Sequence, residues 1–133
     1  YLSRCNFSVL KRLDLSINDI SDKGMEFFPK CCFKGLTDLN LSLNSIKFGI
    51  KFLGSFNKLE KLDLSSNEIE NESLINLNTL TNLIILNLSN NELNDECVKF
   101  LIKCNLEKLK EIELGDSLDL DELKKRFPKI EIS

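Results

Sequence analysis

A single frame, L-x-x-L-x-L-x-x-N-x-[I/L], recurs along the chain. It appears as Leu10-Leu13-Leu15-Asn18-Ile20, Leu36-Leu39-Leu41-Asn44-Ile46, Leu59-Leu62-Leu64-Asn67-Ile69 and Leu83-Leu86-Leu88-Asn91-Leu93, and a degraded fifth copy follows as Leu109-Ile112-Leu114-Ser117. The copies start 26, 23, 24 and 26 residues apart. Self-similarity at such a period belongs to solenoids, in which each repeat is one supersecondary unit. A unit this short cannot bury its own leucines, so the core exists only where neighbours stack, and about three copies are the working minimum. Five copies in 133 residues imply one domain over 1–133, with repeats starting near 10, 36, 59, 83 and 109 and a C-terminal cap over about 118–133.

Within a copy, Arg12-Leu13-Asp14-Leu15-Ser16 alternates polar and apolar, the period-2 signature of a half-buried strand. Parallel stacking then places Leu13, Leu39, Leu62, Leu86 and Ile112 in one buried column and Leu15, Leu41, Leu64, Leu88 and Leu114 in the next. Asn18, Asn44, Asn67 and Asn91 fall where the chain leaves each strand, and a short amide there can satisfy backbone groups that the turn strips of partners. Ser117 replaces the amide in the last copy, which ends the series. The segments that return to the next strand differ in length. In the 26-residue copies, Cys97, Leu101 and Cys104 at helical spacing behind a capping-type Asp95 predict true α-helices. In the shorter copies, Ile50, Leu53 and Phe56, then Leu74, Leu77 and Leu80, recur every three residues, a spacing compatible with shorter helical turns or with 3₁₀ turns. Leu120, Leu123 and Phe127 predict a short amphipathic helix over the last repeat, followed by an extended segment.

These copies resemble the leucine-rich repeat family, as a mixture of its ribonuclease-inhibitor-like and shorter typical types. The segment from Leu13-Asp14-Leu15-Ser16 through Asn18, Ile20, Asp22 and Gly24 carries the closest likeness, and the resemblance covers residues 10 to about 119. It implies an α/β architecture: a right-handed solenoid with parallel strands on the concave face and helices or 3₁₀ turns on the convex face. It also implies that the concave face binds other proteins.

Composition removes several classes of function. The chain has no histidine, which excludes Ser-His-Asp and Cys-His nucleophile systems and every histidine metal site. The five cysteines lack C-x-x-C spacing, and no phosphate-cradling glycine motif occurs. Glu111 and Glu113 lie two apart on one strand face, yet paired carboxylates need a closed cleft to work as acid and base. No catalytic residue, metal site or cofactor is therefore expected. Eighteen basic against 21 acidic residues give a net charge of -3, so neither nucleic acid nor an anionic membrane is an expected partner. An odd cysteine count with one adjacent pair reads as buried free thiols in a reducing compartment, which points to a cytoplasmic monomer.

The outward strand positions are Arg12, Asp14, Asp38, Asn40, Lys61, Asp63, Ile85, Asn87, Glu111 and Glu113, the expected partner-binding stripe. Two positive residues stand against five negative, so a basic partner surface is the natural complement. Ile17, Leu43, Ile84 and Ile85 are the apolar anchors available to it. The expected function is a protein-interaction module acting as an adaptor or recognition domain. The alternatives are a regulatory subunit, for phosphatase targeting or for GTPase activation through Arg4 or Arg12, and a pathogen effector domain.

Overall fold

The computed structural model describes residues 7–115 and 118–133, so Arg4, Cys5, Asp116 and Ser117 lie outside the described residues. Six strands are described: β1 (Arg12–Asp14), β2 (Asp38–Asn40), β3 (Lys61–Asp63), β4 (Ile85–Asn87), β5 (Glu111–Glu113) and β6 (Glu131–Ile132). They form one parallel sheet in chain order. The register matches the repeat frame, with Leu13, Leu39, Leu62, Leu86 and Ile112 as successive partners. The final extended segment joins the same sheet, Ile132 pairing with Ile112.

The two leucine columns are the interior. Leu39, Leu41, Leu62, Leu64, Leu86 and Leu88 are buried, whereas Leu13 and Leu15 are half-buried because β1 has a neighbour on one side only among the described residues. Strands β1 to β4 each last three residues because the third, a carboxylate or amide, turns the chain. The Asp14 carboxylate accepts the Ser16 N–H at 2.9 Å, and Asn40, Asp63 and Asn87 accept from Ser42, Ser65 and Ser89 in the same way. The following residues, Ile17, Leu43, Ser66 and Asn90, then adopt left-handed backbone, with φ of 57°, 55°, 53° and 55°.

The return segments follow the expected division, in shorter pieces. The 26-residue copies carry α1 (Asp22–Met25), extended by a 3₁₀ turn at Phe28–Lys30, and α2 (Cys97–Leu101). The shorter copies return through 3₁₀ segments at Gly49–Leu53 and Asn71–Thr79. In a 3₁₀ helix residues three apart eclipse, so Ile50, Leu53 and Phe56, and Leu74, Leu77 and Leu80, all point inward and are buried. Gly49 permits a close approach between return segments, since a Cβ there would come within 2.7 Å of Met25 Cγ. Asp95 does not cap α2 as expected. Helix α2 starts behind Glu96 without a side-chain cap, and the Asp95 carboxylate instead accepts the N–H of Asp119 at 2.8 Å, holding the C-terminal segment to the fourth repeat. Beyond it, α3 (Asp121–Arg126) buries Leu123, and Phe127 is buried just past its end.

The repeat asparagines bind two repeats at once. Asn67 Oδ1 accepts the N–H of Ile46 at 3.0 Å, while its Nδ2 donates to Leu41 O at 3.0 Å and to Leu64 O in its own copy at 3.1 Å. Asn44 and Asn91 repeat this pattern one copy earlier and one later. Each amide thus satisfies backbone groups that the preceding turn leaves without sheet partners.

Two substitutions separate these contributions. Leu64→Ala removes a fully buried side chain and should cost about 2–5 kcal/mol, through lost transfer energy plus a cavity. Asn67→Ala strands one buried donor and two acceptors and should cost about 1–3 kcal/mol. Denaturant melts showing either variant as stable as exposed Lys58→Ala would contradict the assignment.

Candidate interaction face on the sheet

Every polar residue offered by the strands faces the same side, because strand side chains alternate and the leucines take the other. Nine of the ten positions singled out from the sequence line one open depression of about 350 Å³ across β1 to β5. Glu111 does not line it. Arg12, Asp14 and Lys61 are exposed and the other seven are half-buried, shaded by side chains on adjacent strands.

Several of these side chains are already engaged. Asp14, Asp63 and Asn87 each hold the backbone N–H and the hydroxyl of the serine two residues on, and Asn40 holds the N–H of Ser42. The two hydrogen bonds from Ser16 keep the Asp14 carboxyl below its ordinary value, so it stays charged. Asn87 Nδ2 donates to Glu113 Oε2 at 2.7 Å, tying β4 to β5 on this face. The stripe is therefore ordered before any partner arrives, and its four residues nearest the turns also shape the fold. The sequence signal for this dual role was the repeated Asp/Asn-x-Ser spacing.

The apolar positions separate. Ile85 lies in the depression, and Ile84 is half-buried just before β4. Ile17 and Leu43 lie at the turn side of the face rather than within the depression. They stand past the strand ends, 75% and 54% exposed, in the left-handed turn. Left-handed backbone crowds a side chain, most severely a β-branched one such as Ile17. The chain carries this strain in two adjacent copies whose side chains face solvent.

Nucleophile chemistry finds little support. Among the described residues no group of three acidic, histidine or cysteine side chains is placed to hold a metal. Burial pushes the thiols of Cys97 and Cys104 up to about 11, with Asp95 adding to the effect at Cys97. Cys32 departs from the expectation of buried thiols: it is exposed. Arg12, one of two arginines considered for a GTPase-activating role, lies in the depression on β1.

Three stretches, residues 8–28, 57–77 and 79–101, match the family model described as Leucine Rich repeat. The acidic leucine-rich nuclear phosphoprotein 32 family member A of Drosophila melanogaster is 37% identical over 79 residues, which cover 59% of this chain and 30% of that protein. Among solved structures, an internalin (inlF) of Listeria monocytogenes superposes with a TM-score of 0.74 at 27% identity, over 92% of this chain and 34% of that one. Internalin C2 of the same organism gives 0.63 at 25% identity, over 85% of this chain and 47% of that one. The chain thus spans less than half the length of each protein it matches here. These likenesses place the fold among leucine-rich repeat solenoids, with parallel strands on one side and short helices or 3₁₀ turns on the other.

Strain and thiol burial are both measurable. Ile17→Asn, which installs the residue that Asn90 supplies in the fourth copy, should stabilise the protein by about 1 kcal/mol through relief of left-handed strain. A lower melting temperature would show that Ile17 packs rather than projects. With a thiol reagent near neutral pH, Cys32 should label well ahead of Cys97 and Cys104. The folded values of the two buried thiols lie above the ordinary 9.0, so their contribution to stability is full below that pH and is lost as pH rises through about 11. Equal labelling rates for all three in the native protein would contradict this.

Proposed function

The chain belongs to the leucine-rich repeat family, and from that premise we propose that it is a protein-interaction module, an adaptor or recognition domain, that docks a protein ligand on its strand face. One observation carries this reading: nine outward strand residues from five successive repeats line a single open depression, with two positive side chains against four negative. A partner with a basic surface is the complement, and opposite charge there gives steering and register more than raw affinity. Ile85 within the depression, and Ile17 and Leu43 at its turn side, supply apolar contacts. Catalysis has no support in the site, because an open dish does not exclude water from reacting groups. We place the module in the cytoplasm as a monomer, in keeping with free thiols at Cys32, Cys97 and Cys104. We read the 26-residue copies with their short α-helices as ribonuclease-inhibitor-like repeats and the 3₁₀ copies as typical ones.

The test follows from the charge of the face. With a partner recovered by affinity capture, reversing Asp38, Glu111 and Glu113 to Lys should slow association and flatten its salt dependence. These three residues are half-buried and Glu113 accepts the Asn87 amide, so the variant's melting temperature is measured beside its binding and only loss of binding by folded protein counts. Asp63 is left alone because it holds the Ser65 turn. Reversing Lys99, Lys103 and Glu107 on the opposite side should change neither rate nor salt slope. If that second set abolishes binding and the first has no effect, the strand face is not the recognition surface.

A further inference from the structure

The overall charge of -3 conceals a separation of sign between surfaces. Residues 27–37 carry Lys30 and Lys34, residues 39–58 carry Lys47, Lys51 and Lys58, and neither stretch contains an acidic residue. All five lysines lie outside the strands, in the return segments of the first two repeats. These segments sit against each other. The Asp22 carboxylate of α1 accepts the N–H groups of Lys47 and Phe48 at 2.9 and 3.0 Å, and Gly49 lies on Met25.

Aromatic rings are interleaved with these cations. Phe27 is 54% and Phe48 42% exposed, large apolar surfaces for side chains that a solenoid of this kind normally buries. Each carries an ammonium over its face, Lys30 at 5.1 Å from the Phe27 centroid and Lys47 at 5.4 Å from that of Phe48, and Lys51 lies 5.0 Å over the half-buried Phe52. Lys47 is also paired with Glu70. Lys30, Lys34 and Lys51 have no ion pair among the described residues. Beside them opens a second depression, of about 310 Å³, with Lys30 and Lys34 on its wall, Phe33 and Phe56 at its base and the exposed Cys32 at its lip. The base is rigid, since Phe28, Phe33 and Phe56 pack with ring centroids 5.9 to 6.4 Å apart.

We infer that this surface is a second docking site, independent of the strand face, for an acidic protein segment that carries apolar side chains. A cationic wall around an apolar base matches a peptide in which carboxylates alternate with Leu or Phe: the carboxylates meet Lys30, Lys34 and Lys51, and an apolar side chain enters over Phe56. Single-stranded nucleic acid fits less well, because it stacks bases on open aromatic faces and these rings are covered by their own lysines. An anionic lipid surface fits less well too, because the largest apolar floor is recessed, whereas interfacial binding needs a projecting amphipathic face.

The test uses the intact chain and a fluorescent peptide alternating Glu with Leu and Phe, its Gln-for-Glu counterpart, vesicles of phosphatidylserine and phosphatidylcholine, and polyuridylate. The acidic peptide should bind with an affinity that falls as salt rises, and the Gln peptide should bind at least about ten-fold more weakly. Lys30→Glu with Lys34→Glu should reproduce that loss in a protein of unchanged melting temperature, while Lys99→Glu with Lys103→Glu should not. Bound peptide should slow alkylation of Cys32, which mass spectrometry reads at that residue alone. Failure of the peptide to bind, equal binding by the Lys30/Lys34 variant, or binding of vesicles or polyuridylate in its place would overturn the proposal. So would self-association, seen by sedimentation and abolished by the same variant, which would make a second copy the occupant.

Discussion

No repeat in this protein can satisfy itself. The leucines of each copy are covered by the copies beside it, and the turn that ends each strand leaves backbone groups that the next asparagine must reach back to bond. The amide is suited to this because it offers donors and acceptors together on a side chain short enough to stay in the turn. Asn44, Asn67 and Asn91 consequently lock the spacing between copies more rigidly than hydrophobic contact would, since burial is non-directional and a hydrogen bond is not. The sheet register, the direction of the polar stripe and the position of both depressions follow from that lock. Stability in such an array is a sum of nearest-neighbour terms, so the half-buried Leu13 and Leu15 mark a weaker end than the sealed middle copies.

Much of this was legible in the residues because period carries phase. A frame with leucines at fixed offsets determines which side chains share a column, and Leu13, Leu39, Leu62, Leu86 and Ile112 pair as the frame requires. The distinction between 26-residue copies with α-helix and shorter ones with 3₁₀ turns also followed from spacing. The misses share a physical origin, which is that local patterns understate contacts between copies. Asp95 has the look of a helix cap, but the C-terminal segment brings it a different backbone N–H, at Asp119. Summing charge over the whole chain averaged an acidic sheet face with the basic back of the first two repeats.

Opposite sign on opposite sides marks the first two repeats. The strand face offers an ordered acidic stripe whose side chains are held by their own turns, so docking there orders little that is not already ordered. The back of the first two repeats offers lysines on aromatic rings above a fixed base of phenylalanines. Under the two proposals above, the surfaces take ligands of unlike charge, the strand face a basic one and the back of the first two repeats an acidic one.

The left-handed turn after each strand has an evolutionary consequence. Four copies present the same backbone conformation with Ile17, Leu43, Ser66 and Asn90 in the same slot. The geometry there is imposed by the serine turn and the asparagine on either side, so the occupant of the slot contributes little to holding it. Two aliphatics, a hydroxyl and an amide are all admitted, the aliphatics at a conformational cost. Such a position is a variable letter in a constant word: mutation can rewrite the rim of the face one repeat at a time, without moving the strands that present it.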